Sequence, residues 1–470
     1  VNRVLIIGGG ISGLATAFHL TKTAEKSGLL VEVIVLERDP VPGGKMRTTR
    51  EDGFTVEWGP NGFLTNKPDT LEMVRELGIE NRLAKSSDEA RKRYLLLGGK
   101  LHRLPESPVE FLRSPILSPL GKLRVMMEPF IPPKKSDNDE TLADFVKRRL
   151  GTEALEKLIE PMASGIYAGR PEDMSLISCF PTIHQLEMEH GGLIRGMLAK
   201  ARERKAKGEN ALSAGPGGVL TSFDGGVLTL IEETAGRTPA EISTSFECAR
   251  VEKTEKGTYR VSGLTGGSEI EYECDAVVVS TPAYAASSML TELDAELSKL
   301  LSSIPYAPIS VVAAAFDEKG AKDKVDGFGY LVPRAEKRKV LGVLFDSSIF
   351  PNRAPNGKVL LRGMIGGARN PEYALLPEKK VVDFFLEEIR ETLGIKAEPH
   401  RVWFFRHEKG IPQYNRDHQS KLKAIDERLS NLPGLFLNSN AYRGIGLNDC
   451  VRNGRLTAER IIEFLTEQRR

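Results

Sequence analysis

Four glycines within six residues, Gly8-Gly9-Gly10-Ile11-Ser12-Gly13, stand directly after the apolar run Val4-Leu5-Ile6-Ile7 and before Leu14-Ala15-Thr16-Ala17-Phe18-His19-Leu20. The chemistry open to this spacing is to hold a diphosphate. Gly8 permits a tight turn, Gly10 lets backbone approach phosphate oxygens, and Gly13 lets a helix pack close on the strand before it. The diphosphate would rest on the free N–H groups at the start of that helix, where the peptide dipoles favour negative charge. A second apolar run, Val31 to Leu36, ends in Glu37, whose carboxylate can accept from a ribose diol. Glu37 lies 24 residues beyond Gly13, near the expected spacing of about 20. Strand, glycine turn, helix, strand and acid in that order read as a dinucleotide-binding unit.

The elements that position this unit follow from apolar periodicity. After Glu37 comes Asp39-Pro40-Val41-Pro42-Gly43-Gly44-Lys45-Met46-Arg47-Thr48, where the paired glycines admit the second half of a dinucleotide and Arg47 could reach phosphate. Gly53 to Phe63 alternates as a strand and ends in the turn Gly59-Pro60-Asn61-Gly62. Helical spacing runs from Thr70 to Leu83 and from Glu140 to Leu158. Between them, Pro105 to Pro133 is proline-rich, apolar and dotted with Arg and Lys. Helical core is the simpler reading of that stretch; a membrane-facing or substrate-access surface is the alternative. Lys200 to Gly218, charged and then Gly/Ser/Ala/Pro-rich, reads as a mobile surface connection. Gly225 to Ile231 suggests a helix start, and Asp275 to Pro282 a short strand stopped by proline. Ile309–Phe316, Gly327–Val332, Val340–Phe345 and Val359–Ile365 alternate as antiparallel strands with one exposed face. Val381 to Leu393 is an amphipathic helix; Gly434 to Asn438 a strand; Ala441 to Cys450 a loop; Val451 to Leu465 a final helix.

At 470 residues the chain exceeds one hydrophobic core, so two or three domains are expected. With 66 basic and 64 acidic residues it offers no global charge for binding nucleic acid. Cys179, Cys248, Cys274 and Cys450 show no metal-ligand or redox spacing and read as buried thiols of a reducing cytosol. The apolar start is too short for a secretory signal, and no run approaches the length of a membrane span, so a cytoplasmic location with peripheral membrane contact is expected. No metal site and no catalytic nucleophile stand out. His184, His190, His407 and His418 are acid–base candidates that read more simply as satisfied structural histidines.

Further motifs carry a resemblance: Glu160-Pro161-Met162-Ala163-Ser164-Gly165-Ile166-Tyr167-Ala168-Gly169, Ile411-Pro412-Gln413-Tyr414 with His418 after it, and Gly444-Ile445-Gly446-Leu447-Asn448-Asp449-Cys450. Together with the glycine loops they resemble the flavin-dependent porphyrinogen oxidases of haem synthesis, in particular the Gram-positive coproporphyrinogen III oxidases, over essentially the whole chain. That resemblance implies an amine oxidase-like α/β fold: a Rossmann-type FAD-binding domain (1–68, 218–290, 405–470), a mainly helical domain able to face a membrane (69–217) and a mixed-sheet substrate domain (291–404). It implies FAD held by Gly8, Gly10, Ile11, Ser12, Gly13, Glu37 and Arg38. The second loop and flavin-side turn contribute Gly43, Gly44, Lys45, Gly59, Pro60, Asn61 and Gly62, and Val251, His407, Gly446, Leu447 and Asn448 complete the set. The last helix would face the flavin pyrimidine edge and stabilise the reduced, anionic ring. Two departures stand out: His407 replaces a usual tryptophan, and Asn448 a usual proline.

The implied reaction removes six electrons from a porphyrinogen in three flavin cycles, with dioxygen reduced to hydrogen peroxide each time. It needs positioning and charge stabilisation rather than a protein nucleophile. Four propionates on coproporphyrinogen call for cations. Lys67 is the first candidate, then Arg170, Arg334 and Arg338, with Tyr167 beside the macrocycle. Downstream haem-pathway enzymes are candidate partners. Protoporphyrinogen IX oxidation is the alternative, then an amine oxidase or carotenoid desaturase, although Asn440 and Tyr442 offer no aromatic pair. A flavin- or porphyrin-binding module without activity is the rival of another class.

Overall fold

The computed structural model describes the chain except residues 137, 207–217, 322, 324 and 469–470. Five parallel strands lie in the order Glu241–Ser243, Val31–Leu36, Asn2–Ile7, Ala276–Val279, Leu435–Leu437. All but the edge strand Glu241–Ser243 carry a continuous apolar run, because both sheet faces are covered there. Register sets Ile7 between Leu36 and Val279, so Gly8, Glu37 and Ser280 leave the sheet side by side. The first helix, Ile11–Lys26, crosses the last, Leu447–Glu467, so closely that a Cβ on Gly454 would sit 2.9 Å from the Ala15 Cβ. An antiparallel sheet of Phe246–Lys253, Tyr259–Thr265 and Ser268–Cys274 shares a core with Leu5 and Ile7.

A second, seven-stranded sheet runs Arg401–Pro412, Tyr306–Asp317, Lys358–Gly366, Val340–Leu344, Gly329–Leu331, Arg93–Leu97, Lys100–Arg103. Its neighbours are antiparallel except Gly329–Leu331 with Arg93–Leu97. The expected exposed face does not exist for the long strand Tyr306–Asp317. Val381, Phe385 and Ile389 of the helix Glu378–Leu393 cover one side, and Phe54 and Val56 of the hairpin Thr48–Glu57 cover the other. Several strands and helices run across the expected domain borders. A break at 405 would cut Arg401–Pro412, the hairpin Arg93–Arg103 belongs to the mixed sheet, and Leu297 and Leu301 pack into the dinucleotide-domain core.

Glycine ends two helices earlier than the apolar spacing suggests. Asp69–Leu77 stops at Gly78, with φ +69°, and Leu142–Arg149 breaks before Gly151, with φ +94°. The final helix starts at Leu447 rather than Val451, which brings its first free N–H groups to the glycine loop. Leu193–Ala206 is helical, against the loop expected from Lys200; the Gly/Pro-rich remainder, 207–217, lies outside the described residues. Pro105 to Pro133 is core only in part, where Phe111 and Val125 pack against Ile116 and Leu117. Ile116 and Leu117 are buried, but Val109, Leu112, Leu123, Met126 and Met127 are exposed, and Leu120 and Phe130 are 78% and 79% exposed. No helix among the described residues is long and apolar enough to cross a membrane.

The Phe385 ring lies on Gly363, where a Cβ would come within 2.3 Å of it. Phe385→Ala is expected to cost about 3–5 kcal/mol, the range for emptying a buried aromatic site, read as a lower denaturant midpoint.

Candidate functional site

Two glycine loops meet where the parallel sheet ends. Gly8 has φ +110°, and a Cβ on Gly13 would lie 2.0 Å from the Gly8 carbonyl oxygen, so both positions require glycine for the fold itself. Gly10 is different: nothing among the described residues lies within 4 Å of where its Cβ would be. Gly43 N–H donates to the Gly9 carbonyl at 2.9 Å, and a Cβ on Gly44 would stand 3.5 Å from the Gly10 Cα. Ile11 and Ser12 open the first helix directly behind this contact. The buried Glu37 carboxylate accepts from Gly9 N–H at 2.7 Å and Asp39 N–H at 2.8 Å, which fixes it beside the loop with lone pairs still free. Arg38 is exposed beside Asp39, and Arg47 is held by Asp39 at 2.6 Å rather than free for a phosphate. The Val251 side chain lies in the core, which leaves only its backbone for a ligand.

The far end of the cleft joins the turn after Phe54–Glu57 to the start of the last helix. Gly59 lies against the Lys45 carbonyl, and the Lys45 ammonium donates to the carbonyls of Lys409 (2.8 Å) and Gly410. Burial pulls its pKa down to about 8. Gly62, with φ +159°, packs on the Thr221 carbonyl. Asn448 Nδ2 donates to the Leu64 carbonyl at 2.9 Å, and Lys67 pairs with Asp449 in the first turn of that helix at 2.6 Å. Residues 64–67 are thus tied to the helix N-terminus formed by Gly446 and Leu447. His407 Nε2 lies 3.0 Å from the Trp58 carbonyl oxygen.

Several polar atoms here are buried without a hydrogen bond: both amide atoms of Asn61, Asn448 Oδ1, Ser280 Oγ and Thr281 Oγ1. Such atoms are costly unless a ligand or water satisfies them. With the space beside Gly10, they fit a dinucleotide with a polar heterocycle at its far end. Ser280 and Thr281 were not anticipated from sequence. The available signal was their place at a strand's C-terminal end, beside a glycine loop in an open parallel sheet.

Other expected residues fall elsewhere. Tyr167 points into the core: its hydroxyl donates to the Cys179 carbonyl at 2.9 Å and its ring packs on Phe180 and Tyr414, so it presents no face to a macrocycle. Arg338 turns away to Glu388 and Glu391. Arg170 and Arg334 share one patch, paired with Asp173 and Glu172. His418 is buried, stacked on Tyr414, with Nε2 at 2.8 Å from the Tyr442 carbonyl oxygen. All four cysteines are buried and free.

A parallel sheet with a glycine cradle, a second glycine loop and a returning helix defines a FAD-dependent oxidoreductase. Comparison with known proteins narrows the class. The chain matches the flavin containing amine oxidoreductase family over residues 11–462. It is 30% identical to the coproporphyrinogen III oxidase of Bacillus subtilis over 98% of both chains. It is 31% identical to the chloroplastic protoporphyrinogen oxidase of Nicotiana tabacum, over 98% of this chain and 86% of that one. A protein from Exiguobacterium sp. 255-15 assigned as a protoporphyrinogen oxidase superposes with a TM-score of 0.83 at 26% identity, over 98% of each chain. The chain belongs to the flavin containing amine oxidoreductases and, within them, to the porphyrinogen oxidase family.

Gly10→Ala should leave the melting temperature of the flavin-free protein unchanged and lower FAD retention, whereas Gly13→Ala should lower the melting temperature itself. Gly446, with φ −75°, meets only the end of the Asp449 side chain, so Gly446→Val should likewise weaken flavin binding more than folding. Burial holds the His19 and His418 imidazoles at about 4, below their ordinary 6.5. The stability each contributes as a neutral ring is full above pH 6.5 and is lost as pH falls from 6.5 towards 4. Melting temperatures over that interval should therefore decline, and less steeply in His418→Gln.

Proposed function

We propose that the protein oxidises coproporphyrinogen III to coproporphyrin III, with FAD accepting the electrons and dioxygen reoxidising it to give hydrogen peroxide. The observation that carries this reading is the match to the Bacillus subtilis coproporphyrinogen III oxidase over 98% of both chains, joined to a site built for FAD. When bound, FAD supplies a hydride acceptor. The residues of this chain bind it through Gly10, Gly44 and Glu37, place the Gly59–Gly62 turn against it and present the last helix N-terminus to it. Ile166, 47% exposed at the end of the helix Glu160–Tyr167, is the apolar side chain offered to a macrocycle in place of Tyr167.

Cations favour the four-propionate substrate over protoporphyrinogen IX, the second reading. Lys67, beside the start of the last helix, is partly exposed and paired with Asp449. Pairs of this kind contribute only about 0–1 kcal/mol, so a propionate can exchange for the protein carboxylate at little cost.

The exposed apolar surface of Pro108–Phe130, flanked by Arg113 and Lys122, supports peripheral contact with an anionic membrane. Leu120→Glu with Phe130→Glu should abolish flotation with anionic vesicles and leave oxidation in solution intact.

Porphyrin fluorescence under air should appear faster from coproporphyrinogen III than from protoporphyrinogen IX at limiting concentration. Lys67→Ala should slow the former by a further factor of about five, the worth of one partly screened charged hydrogen bond of about 1 kcal/mol. Equal loss on both substrates would remove Lys67 from propionate recognition, and a wild-type preference for protoporphyrinogen IX would select the second reading.

A further inference from the structure

The flavin-side turn is reached through three consecutive carbonyl groups, and side chains of the mixed sheet hold all three. Arg362 Nη1 donates to the Glu57 carbonyl at 3.2 Å and to the Gly59 carbonyl at 2.8 Å. The Trp58 carbonyl between them faces His407 Nε2 at 3.0 Å, so that ring nitrogen carries the proton and donates. Arg362 and His407 come from Lys358–Gly366 and Arg401–Pro412, the two strands that flank Tyr306–Asp317. Two further donors of Arg362 go to Asp346, Nε to Oδ2 at 2.7 Å and Nη2 to Oδ1 at 3.1 Å, with both side chains at most 1% exposed. Phe405 stacks on the Trp58 ring at 4.7 Å, closing the turn from the same sheet.

A fully buried guanidinium is an expensive way to join two layers, since apolar residues of like volume do so at least as well. What apolar residues cannot do is bind two backbone carbonyls in a fixed direction. The planar fork of arginine can, while its carboxylate partner locks the plane. We infer that Arg362, oriented by Asp346 and joined by His407, is a positioning residue for the flavin. It hangs the Gly59–Gly62 turn from the substrate sheet, so that the substrate sheet sets the backbone dipoles and the buried positive charge near the flavin. The inference rests on the assignment of that turn to the flavin. Releasing the carbonyls, or removing the cation, makes the reduced and negatively charged ring less stable.

The test uses the FAD-loaded protein and three variants, Arg362→Gln, Arg362→Lys and His407→Leu. FAD content, the visible flavin band, the two-electron midpoint potential and the melting temperature are measured for each. Arg362→Gln is expected to retain FAD with a shifted band. Its equilibrium constant for flavin reduction should fall at least tenfold, about 30 mV for a two-electron couple. Arg362→Lys should recover part of that shift, because it keeps the charge and loses the fork. His407→Leu lies on an edge strand and decides the matter if the Arg362 variants do not fold; it should shift the potential in the same direction. Wild-type potentials and bands in the FAD-loaded variants, with only the melting temperature lowered, would overturn the inference and leave Arg362 a structural ion pair. A wild-type protein that binds no FAD would instead overturn the flavin reading on which it rests.

Discussion

The close approach of two glycine loops requires bare backbone on both, and that requirement organises this molecule. A Cβ on Gly44 would already touch the Gly10 Cα at 3.5 Å, and the Gly43 N–H bond to the Gly9 carbonyl ties the two loops together. Everything around them holds that approach. The parallel sheet delivers Gly8, Glu37 and Ser280 to one edge, Glu37 fixes the loop by accepting from two backbone N–H groups, and the last helix packs onto the first through Gly454. The glycines are therefore of two kinds. Gly8 and Gly13 serve the fold, because a side chain there meets protein or strained backbone. Gly10 and Gly446 have little of the described protein in their way, which leaves their backbone open to the ligand proposed above.

The junction of the two sheets is built from charge rather than apolar packing alone. Glu57 accepts from Thr48, Val227 N–H and Arg353, and Arg353 also donates to Phe223 and Ser222. Beside it stands the Arg362–Asp346 pair. Burial raises the Glu57 carboxyl pKa and lowers that of the Arg353 guanidinium, while their mutual attraction opposes both shifts. Arg353 Nε is buried without a partner among the described residues, but the bonds that are made are directional and hold one geometry. That suits a site where a turn of four residues must sit at one distance from a bound ring.

Much of this was legible from sequence, and for identifiable reasons. The strands around Val4–Ile7 and Val31–Leu36 are buried on both faces and carry continuous apolar runs, and the glycine loop has no other reading once strand, helix and acid flank it. Helix ends were less legible. Leu447-Asn448-Asp449-Cys450 looks like loop until the Gly446 cap places it in the first turn, and Gly78 and Gly151 end helices that apolar spacing alone would continue. The stretch from Pro105 to Pro133 has the composition of a core and, in part, the exposure of a surface, because no other element among the described residues covers Leu120 or Phe130. Least legible were Arg353 and Arg362. Arg353 meets Glu57 across 296 residues, Arg362 reaches the Gly59 carbonyl across 303, and a buried arginine leaves no mark on periodicity.

The account stands on electrons passing from a porphyrinogen to FAD held in this cleft. Anaerobic mixing of the FAD-loaded protein with coproporphyrinogen III, followed by admission of air, tests that directly. Bleaching of the flavin band as porphyrin appears, recovery of the band with dioxygen, and three hydrogen peroxide molecules for each porphyrin formed are the predicted result. A flavin that stays oxidised with coproporphyrinogen III and with protoporphyrinogen IX, yet bleaches with a primary amine, would contradict it.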